Sequence, residues 1–287
     1  MAIPPDVEEN MKILSCGAGM QSTALALMSC ENKKQGIKHP LVPVYDVILF
    51  CDLGNEPRWV YDQVYFIKCA CEDAGIEFYV LESSLHSDYI KNFGKSRVVS
   101  IPFWSIDENG KKGKMMRNCT LDYKINVMQK FIRTELLGYR KGQRTKAEDM
   151  KAHEMHLGFS IEEKHRCKEN PHKMFINKFP LCDMDLERKD NFAYIKDVWG
   201  LETKASACTF CPFHRNYFFK HLKNNYKEEY ESVLEFDDLL EKGQPNTKIR
   251  SKLYISRSRK RIKDLTDEEC NDKECFKYKD ELIWNGF

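Results

Sequence analysis

The sequence predicts an α/β fold in which a doubly wound parallel sheet is followed by a mainly helical C-terminal appendage. Three observations predict it. Apolar strand-like segments alternate with helix-like segments as far as residue 83, a glycine-rich turn joins the first strand to the first helix, and the lysine-rich chain after about residue 215 has helical character. Alternating strands and helices are typical of a parallel sheet covered on both faces. We therefore expect an α/β domain over 1–215 and a helical extension over 216–287.

The elements of the first part follow from apolar spacing and from glycine and proline signals. They are predicted as a strand at 11–16, a helix at 21–30, a strand at 44–52, a helix at 57–75 and a strand at 76–83. Their crossovers are expected to be right-handed.

The middle of the chain is less regular. Residues 84–116 indicate an irregular segment, and such a long excursion is usually functional or mobile. Beyond it the predicted elements are a helix at 121–138, a strand at 153–160 and a short helix at 191–201.

Composition excludes some function classes. The chain has 287 residues, of which 42% are hydrophobic and 31% charged, and its formal net charge is +2. This balance gives no overall electrostatic attraction to nucleic acid or to a membrane surface. The apolar stretches are too short to cross a bilayer, and the acidic beginning of the chain has no signal-peptide pattern. We expect a cytoplasmic protein without membrane contact.

Twelve cysteines are many for such a chain. In a reducing compartment they are expected to be free, metal-bound or catalytic rather than disulfide-bonded. Most are interpreted as small hydrophobic residues. Cys208 and Cys211 form a CxxC pair, a spacing that lets two thiolates bind one metal from a single turn.

The stretch SCGAGMQSTALALM, residues 15–28, predicts an anion-binding loop between a strand and a helix. Gly17 and Gly19 would let backbone N–H groups approach a phosphate, and the positive end of the helix dipole would assist them. Ser15, Ser22 and Thr23 offer hydroxyl donors. The pattern matches neither GxGxxG nor GxxxxGK[ST], and the alternative is a purely structural corner.

Four further segments occur in an informative order. They are FCDLGNEP (50–57), RNCTLDYKI (117–125), GFSIEEKHR (158–166) and CTFCPFHR (208–215). With the glycine loop, they resemble the motifs of the PP-loop adenine nucleotide alpha hydrolase superfamily, in its phosphoadenosine phosphosulfate (PAPS) reductase-like branch. The resemblance covers roughly residues 11–216. It departs in having extra loop residues and Gln21 where the family has aspartate.

The resemblance implies a Rossmann-like sheet that binds ATP with Mg²⁺. The residues it implies for nucleotide binding are Ser15, Gly17, Gly19, Gln21, Ser22, Asp52, Gly54, Arg117 and Gly158. The residues it implies for catalysis are Lys124, Arg166 and Cys119. Asp52 has an alternative interpretation as a capping residue before the next helix. Each cation has an alternative as a solvated surface charge, and Glu163 is interpreted as a partner of one of these cations or as a surface residue.

The resemblance also suggests a metal centre. Cys119, Cys208 and Cys211 are similar to the thiolates that bind a [4Fe-4S] cluster in related enzymes, and three thiolates would leave one iron open to carry sulfur. The alternatives are a Zn²⁺ knuckle and unliganded cysteines. Cys167, Cys182 and His214 are further candidate ligands.

The preferred functional hypothesis is an ATP pyrophosphatase that adenylates an acceptor for sulfur transfer, assisted by a sulfur donor protein. A second hypothesis is a sulfonucleotide reductase, for which Cys275 is the candidate nucleophile, while Cys270 and Cys275 are more simply interpreted as exposed cysteines. A third is a nucleotide-binding module without catalysis, suggested by Gln21. The basic segment 248–263 is a candidate nucleic-acid contact or a solvated face.

Overall fold

The computed structural model of the protein describes residues 10–93, 95, 101–243 and 249–271. In chain order the strands are β1 (Lys12–Cys16), β2 (Val47–Asp52), β3 (Glu77–Glu82), β4 (Trp104–Ile106), β5 (Lys112–Lys114), β6 (His153–Leu157), β7 (Phe175–Lys178) and β8 (Lys252–Tyr254).

The helices cover the segments between the strands. They are α1 (Met20–Gln35), α2 (Arg58–Ala74), α3 (Leu85–Asn92), α4 (Asn126–Phe131), α5 (Pro180–Asp183), α6 (Arg188–Trp199), α7 (Asn216–Asn225), α8 (Lys227–Glu241) and α9 (Asp267–Cys270). Two π-helical turns, Leu121–Ile125 and Ile132–Leu136, flank α4, and 3₁₀ turns lie at Ile161–Arg166 and Ile262–Asp264.

The main sheet has the strand order β3-β2-β1-β6-β7. The pairings of β1 with β2, of β1 with β6 and of β6 with β7 are parallel, with Ile13 opposite both Val47 and Met155. The order reverses at β1, because the chain proceeds from β1 to β2 and β3 on one side and then crosses to β6 on the other. Ligands of such sheets bind beyond the carboxyl ends of the strands at this switch point. The expected α/β fold is confirmed.

Both faces of the central strands are buried. Ile13 and Leu49 belong to a core that also contains Met128 of α4, whereas Leu14 and Ile48 alternate with them and are equally inaccessible to solvent. The continuous apolar sequence of β2 is typical of a parallel strand covered on both sides. In β2 the polar side chain is that of Asp52, the last residue of the strand.

Several elements differ from the sequence predictions. The segment 84–116 contains α3, β4 and β5, so its interpretation as irregular was wrong in part, and β7 was missed. The predicted helix at 121–138 exists, but it begins and ends in wide π turns. The C-terminal region is helical as expected, although it also contributes β8 to a small antiparallel sheet of order β5-β4-β8.

The chain forms two compact units, each assembled from three segments. The first unit contains 1–51, 58–81 and 127–204, and the second contains 52–57, 82–126 and 205–287. The predicted boundary after residue 215 is not a limit between these units, and as a functional division it stays a prediction. Among the described residues, no helix combines the length and the apolar character needed to span a bilayer.

Candidate functional site

The loop after β1 is held in shape by the hydroxyl of Ser22. Ser22 Oγ accepts a hydrogen bond from the backbone N of Gly17 at 3.1 Å and donates to the carbonyl of Gly19 at 3.2 Å. The Cys16 thiol donates to Ser22 Oγ at 3.8 Å. Ser22 therefore preforms the loop from within.

Ala18 adopts a left-handed conformation at the centre of this loop, with φ of +52°. A residue with a Cβ pays about 1–2 kcal/mol for this geometry, so the surrounding structure must enforce it. Gln63 of α2 does so, because its Nε2 donates to the carbonyl of Ala18 at 2.5 Å and its Oε1 accepts from the backbone N of Lys204 at 2.5 Å. Sequence reasoning missed Gln63.

The first turn of α1 presents backbone donors. Its N-cap residue is Gly19, which carries no side chain to accept from the first-turn N–H groups, and the first intrahelical bond runs from Thr23 N to Gly19 O at 3.0 Å. The N–H groups of Met20, Gln21 and Ser22 precede that bond. Such donors, at the positive end of a 16-residue helix, attract an anion.

Gly158 follows β6 and packs directly on that first turn. A Cβ at position 158 would lie 2.7 Å from the backbone N of Ser22 and 2.9 Å from the carbonyl carbon of Gln21. Only glycine lets the backbone of β6 approach this closely. Gly158, which the resemblance implies for nucleotide binding, therefore lies beside the loop, and the close packing there requires glycine.

The carboxylate of Glu163 is the common partner of several polar side chains near this loop. Glu163, in the 3₁₀ turn after Gly158, accepts a hydrogen bond from Gln21 Nε2 at 2.7 Å and forms ion pairs with Arg166 and Arg188. The Arg166 guanidinium also lies over the ring of Phe159, 4.3 Å from its centroid. Two predicted residues, Gln21 and Arg166, therefore meet at Glu163, and sequence reasoning missed Arg188.

Three residues predicted to bind the nucleotide make contacts within the protein. Ser15 Oγ lies 3.4 Å from the sulfur of Met128. In the second unit, Gly54 has φ of +80° and its N donates to Asp52 Oδ1 at 2.8 Å, which makes Asp52 the first residue of a turn. Ligand binding by Ser15, Asp52 and Gly54 stays a prediction.

The CxxC segment of the second unit forms a tight turn. The N of Cys211 donates to the carbonyl of Cys208 at 2.9 Å, and the Nε2 of His214 lies 2.8 Å from the same oxygen. The His214 ring stacks on Phe218. The imidazole that was a candidate metal ligand is engaged in holding this turn.

A buried carboxylate lies beside the turn. Glu56 Oε1 is 3.9 Å from Cys208 Sγ and 3.7 Å from Lys124 Nζ. Burial raises the pKa of Glu56, with Lys124 opposing the rise and Asp52 adding to it. Burial also raises the pKa of the Cys208 thiol well above its usual value, and the negative charge of Glu56 adds to this.

The predicted metal ligands Cys119, Cys208 and Cys211 affect one another's pKa values, but they are not arranged as a set of metal ligands. Burial raises the pKa of Cys211 to about 11, Arg117 opposes the rise, and the half-buried Cys119 adds to it. Among the described residues, no group of three or more histidine, cysteine or carboxylate side chains is arranged to hold a metal ion. The described residues, as arranged in this structure, therefore do not fit a bound metal.

Other cysteines have different surroundings. Cys167 and Cys182, the further candidate ligands, belong to the first unit and contact each other. Cys270 is buried rather than exposed, so that interpretation was wrong. Cys275 lies outside the described residues.

The basic segment contributes to a cavity of about 670 Å³ in the second unit. Its basic lining side chains are Lys242, Arg250, Lys252, Arg259, Lys260 and Arg261. Arg261 is fixed by Asp237 at 2.9 Å and lies over the ring of Tyr254. The cavity thus combines anchored and exposed cations.

Comparison with known proteins finds similarity among solved structures. No protein-family model and no curated protein matches the chain. The U34-tRNA thiolase NcsA from Methanococcus maripaludis, solved with its [4Fe-4S] cluster, matches 81% of this chain and 72% of its own at 17% identity and a TM-score of 0.36. Similarity at this level is too low to assign a fold or a function, so the α/β fold rests on the strands and helices described above.

Proposed function

We propose that the protein is an ATP-dependent enzyme of the PP-loop type, in which the loop 15–22 binds the phosphates of an adenine nucleotide. The observation that carries the proposal is the preformed loop at the switch point of the sheet, where the uncapped first turn of α1 meets Gly158 and the charged group around Glu163. A phosphate chain there would receive backbone N–H donors from α1. Arg166 and Arg188 supply positive charge nearby.

The proposed reaction is transfer of AMP to an acceptor oxygen. The acceptor oxygen forms a bond to the α-phosphorus while the bond between that phosphorus and the oxygen bridging to the β-phosphate breaks. The bridging oxygen and its electron pair leave with pyrophosphate. A nucleophile then displaces AMP from the activated acceptor. Catalysis of this kind depends on positioning and on stabilising the charge of the leaving group.

The residues of the first unit would divide these tasks. The first-turn N–H groups of α1 would hold phosphate oxygens in place, and Ser22 and Gln63 would keep the loop ready before binding, which saves the entropy of ordering it. Arg166 would stabilise the negative charge that develops on pyrophosphate. The Mg²⁺ that accompanies ATP supplies further charge neutralisation when bound.

Calorimetric titration with Mg-ATP, combined with product analysis, tests the proposal. Arg166→Ala and Arg188→Ala should each weaken ATP binding about tenfold, because each removes a positive charge beside the proposed phosphate site. Arg140→Ala, which removes an exposed arginine of the same unit, is the matched control and should bind as the wild type does. Release of AMP and pyrophosphate with an acceptor supports the enzyme, and binding without turnover over a broad acceptor panel supports the non-catalytic module. Absence of ATP binding would refute both.

We propose sulfur transfer as the preferred version of this reaction, with Cys119 and Lys124 as the candidate groups of the second unit. The first support is that Cys119 raises the pKa values of the Cys208 and Cys211 thiols, which indicates that the three lie near one another. The second is the contact of Lys124 with buried Glu56. Because these thiols do not form a ligand set in the structure, no step is assigned to an iron–sulfur cluster or to zinc. Iron, sulfide and zinc analysis of anaerobically purified protein tests the point. Iron and sulfide that disappear in Cys208→Ala would restore the cluster prediction.

Nucleic acid is the partner that the basic cavity favours. Lys242, Arg250 and Lys252 are exposed, and none of the three forms an ion pair with a residue that the structure describes. Exposed cations around anchored arginines suit the phosphates of a nucleic acid. We infer that a nucleic-acid acceptor would contact this cavity. If the basic segment is only a solvated face, the protein should bind no nucleic acid there.

A further inference from the structure

We propose that Cys167 and Cys182 are a redox-active pair that forms a reversible intramolecular disulfide. Their Sγ atoms are 3.5 Å apart, against about 2 Å in a covalent S–S bond, so the two sulfurs are already in contact. Both residues lie in the first unit. The inference is independent of the proposed nucleotide chemistry.

The segments that carry the two thiols are fixed relative to each other. The residues between them contain β7, and Asn177 of β7 donates through Nδ2 to the carbonyl of Lys168 at 2.9 Å. Asn170 Nδ2 donates to Asn177 Oδ1 at 2.8 Å. These bonds fasten the chain next to Cys167 to the strand that leads into α5 and Cys182. The short sulfur contact is thus a property of a braced loop.

The two thiols differ in access, which sets the order of reaction. Cys167 is half-buried and lines a cavity of about 380 Å³ together with Lys151 and Lys168. Cys182 is buried, with its Sγ 3.0 Å from the carbonyl of Phe159 and 3.3 Å from that of Ser160. Burial and the neighbouring Cys167 raise the pKa of Cys182 to about 12. Cys167 is therefore the attacking thiol and Cys182 the resolving one.

The oxidant that fits is a low-molecular-weight disulfide, RSSR, of the glutathione class. The Cys167 thiolate attacks one sulfur of RSSR, so a mixed disulfide forms and RS⁻ leaves. Cys182, on losing its proton, attacks the Cys167 sulfur, and the second RS⁻ leaves. In total two protein thiols and RSSR give one protein disulfide and two RSH. The pair is oxidised by two electrons and RSSR is reduced by two.

Disulfide formation would act on the candidate site through a short path. The carbonyls that Cys182 contacts belong to Phe159 and Ser160, which directly precede the 3₁₀ turn carrying Glu163. That turn ends at Arg166, next to Cys167. A disulfide would therefore act next to both ends of the turn Ile161–Arg166, which carries the Glu163 carboxylate that accepts from Gln21.

Cys30 and Cys71 provide a matched internal control. Their Sγ atoms are 3.8 Å apart, almost as close, but both residues have no exposed surface. A small disulfide cannot reach either sulfur in the folded protein. Proximity is thus similar in the two pairs, and access differs.

The test is to treat the folded, reduced wild-type protein with oxidised glutathione, block the remaining thiols and map the peptides by mass spectrometry. The expected result is a 167–182 crosslink that dithiothreitol reverses, with Cys30 and Cys71 still blocked as free thiols. In Cys182→Ser, glutathione should remain attached to Cys167. In Cys167→Ser, Cys182 should acquire no adduct. Free Cys167 and Cys182 after treatment, or equal oxidation of Cys30 and Cys71, would overturn the proposal, and the wild-type result decides even if a variant does not fold.

Discussion

At position 158, the absence of a side chain lets the end of β6 approach the first turn of α1. The space that a Cβ would need is occupied by backbone atoms of Gln21 and Ser22, which cannot turn aside as a flexible side chain can. The same turn carries the N–H donors of the candidate phosphate site. Packing and proposed binding therefore depend on one residue.

Gly158→Ala should lower the free energy of unfolding by about 1–3 kcal/mol, the usual cost of overpacking, and should weaken ATP binding. Chemical denaturation and calorimetry measure the two effects. Gly113→Ala is the control, because its new Cβ would meet only the Ser105 side-chain oxygen at 2.9 Å, which can rotate. A stable Gly158→Ala protein with unchanged ATP affinity would contradict this account of the loop.

The residues of the first-unit site could be predicted where a local motif marks them. The glycine loop and the segment 158–166 led to Gln21, Gly158 and Arg166, which the structure brings to one place. Gln63 and Arg188 could not be predicted, because each acts through a long-range contact from a helix whose sequence gives no sign of it. Ala18 escaped notice because a left-handed conformation is expected of glycine rather than of alanine.

At the scale of elements, the turn that carries Cys208 is packed against the buried carboxyl group of Glu56. The pKa of Glu56 is raised, so the folded protein holds that proton more tightly than the unfolded chain, whose value is 4.5. Stability from this group is complete below pH 4.5 and is lost as the pH rises through the folded-state pKa.

Glu56→Gln should reduce that loss of stability with increasing pH. Where only the folded carboxyl is protonated, the wild type should lose about 1.4 kcal/mol per pH unit more than the variant. Urea denaturation at a series of pH values from 4.5 upward measures the difference. Glu235→Gln, at an exposed position of α8, should keep the wild-type dependence. If the free energy of unfolding depended on pH in the same way in wild type and Glu56→Gln, the raised pKa of Glu56 would be contradicted.

Strands and helices could be predicted from the sequence where their apolar pattern is strong. Strands β1, β2 and β3 have strong apolar sequences and were located within a few residues. Strands β5 (KGK) and β7 (FINK) have only three and four residues, and each is defined by its pairing, β5 with the preceding β4 and β7 with β6 across the segment 158–174. Pairing of this kind is a tertiary effect that a local pattern does not reveal.

At the scale of the whole molecule, a net charge of +2 conceals a strongly basic cavity in the second unit. Attraction to nucleic acid depends on such local charge, and each phosphate contact releases a counterion. The net charge alone could therefore not decide whether the protein binds nucleic acid.

Replacement of Lys242, Arg250 and Lys252 by alanine should weaken nucleic-acid binding and reduce its salt dependence. Loss of three phosphate contacts would lower the slope of log K against log salt by roughly 2–3. Fluorescence anisotropy with a labelled RNA over a salt series measures it, and an alanine triple variant at the exposed Lys33, Lys141 and Arg144 is the control. An unchanged slope would show that the cavity does not contact the nucleic acid.

Hydrogen exchange of the folded protein with and without Mg-ATP tests whether the loop 15–22 is a nucleotide site. Binding at the loop should slow exchange of the backbone amides in 16–23, and of those in 158–166 that pack on it, because bound phosphates occupy the first-turn N–H groups of α1. Protection confined to these two segments is the predicted result. ATP binding that leaves both segments unprotected would contradict the assignment of a nucleotide site to this loop.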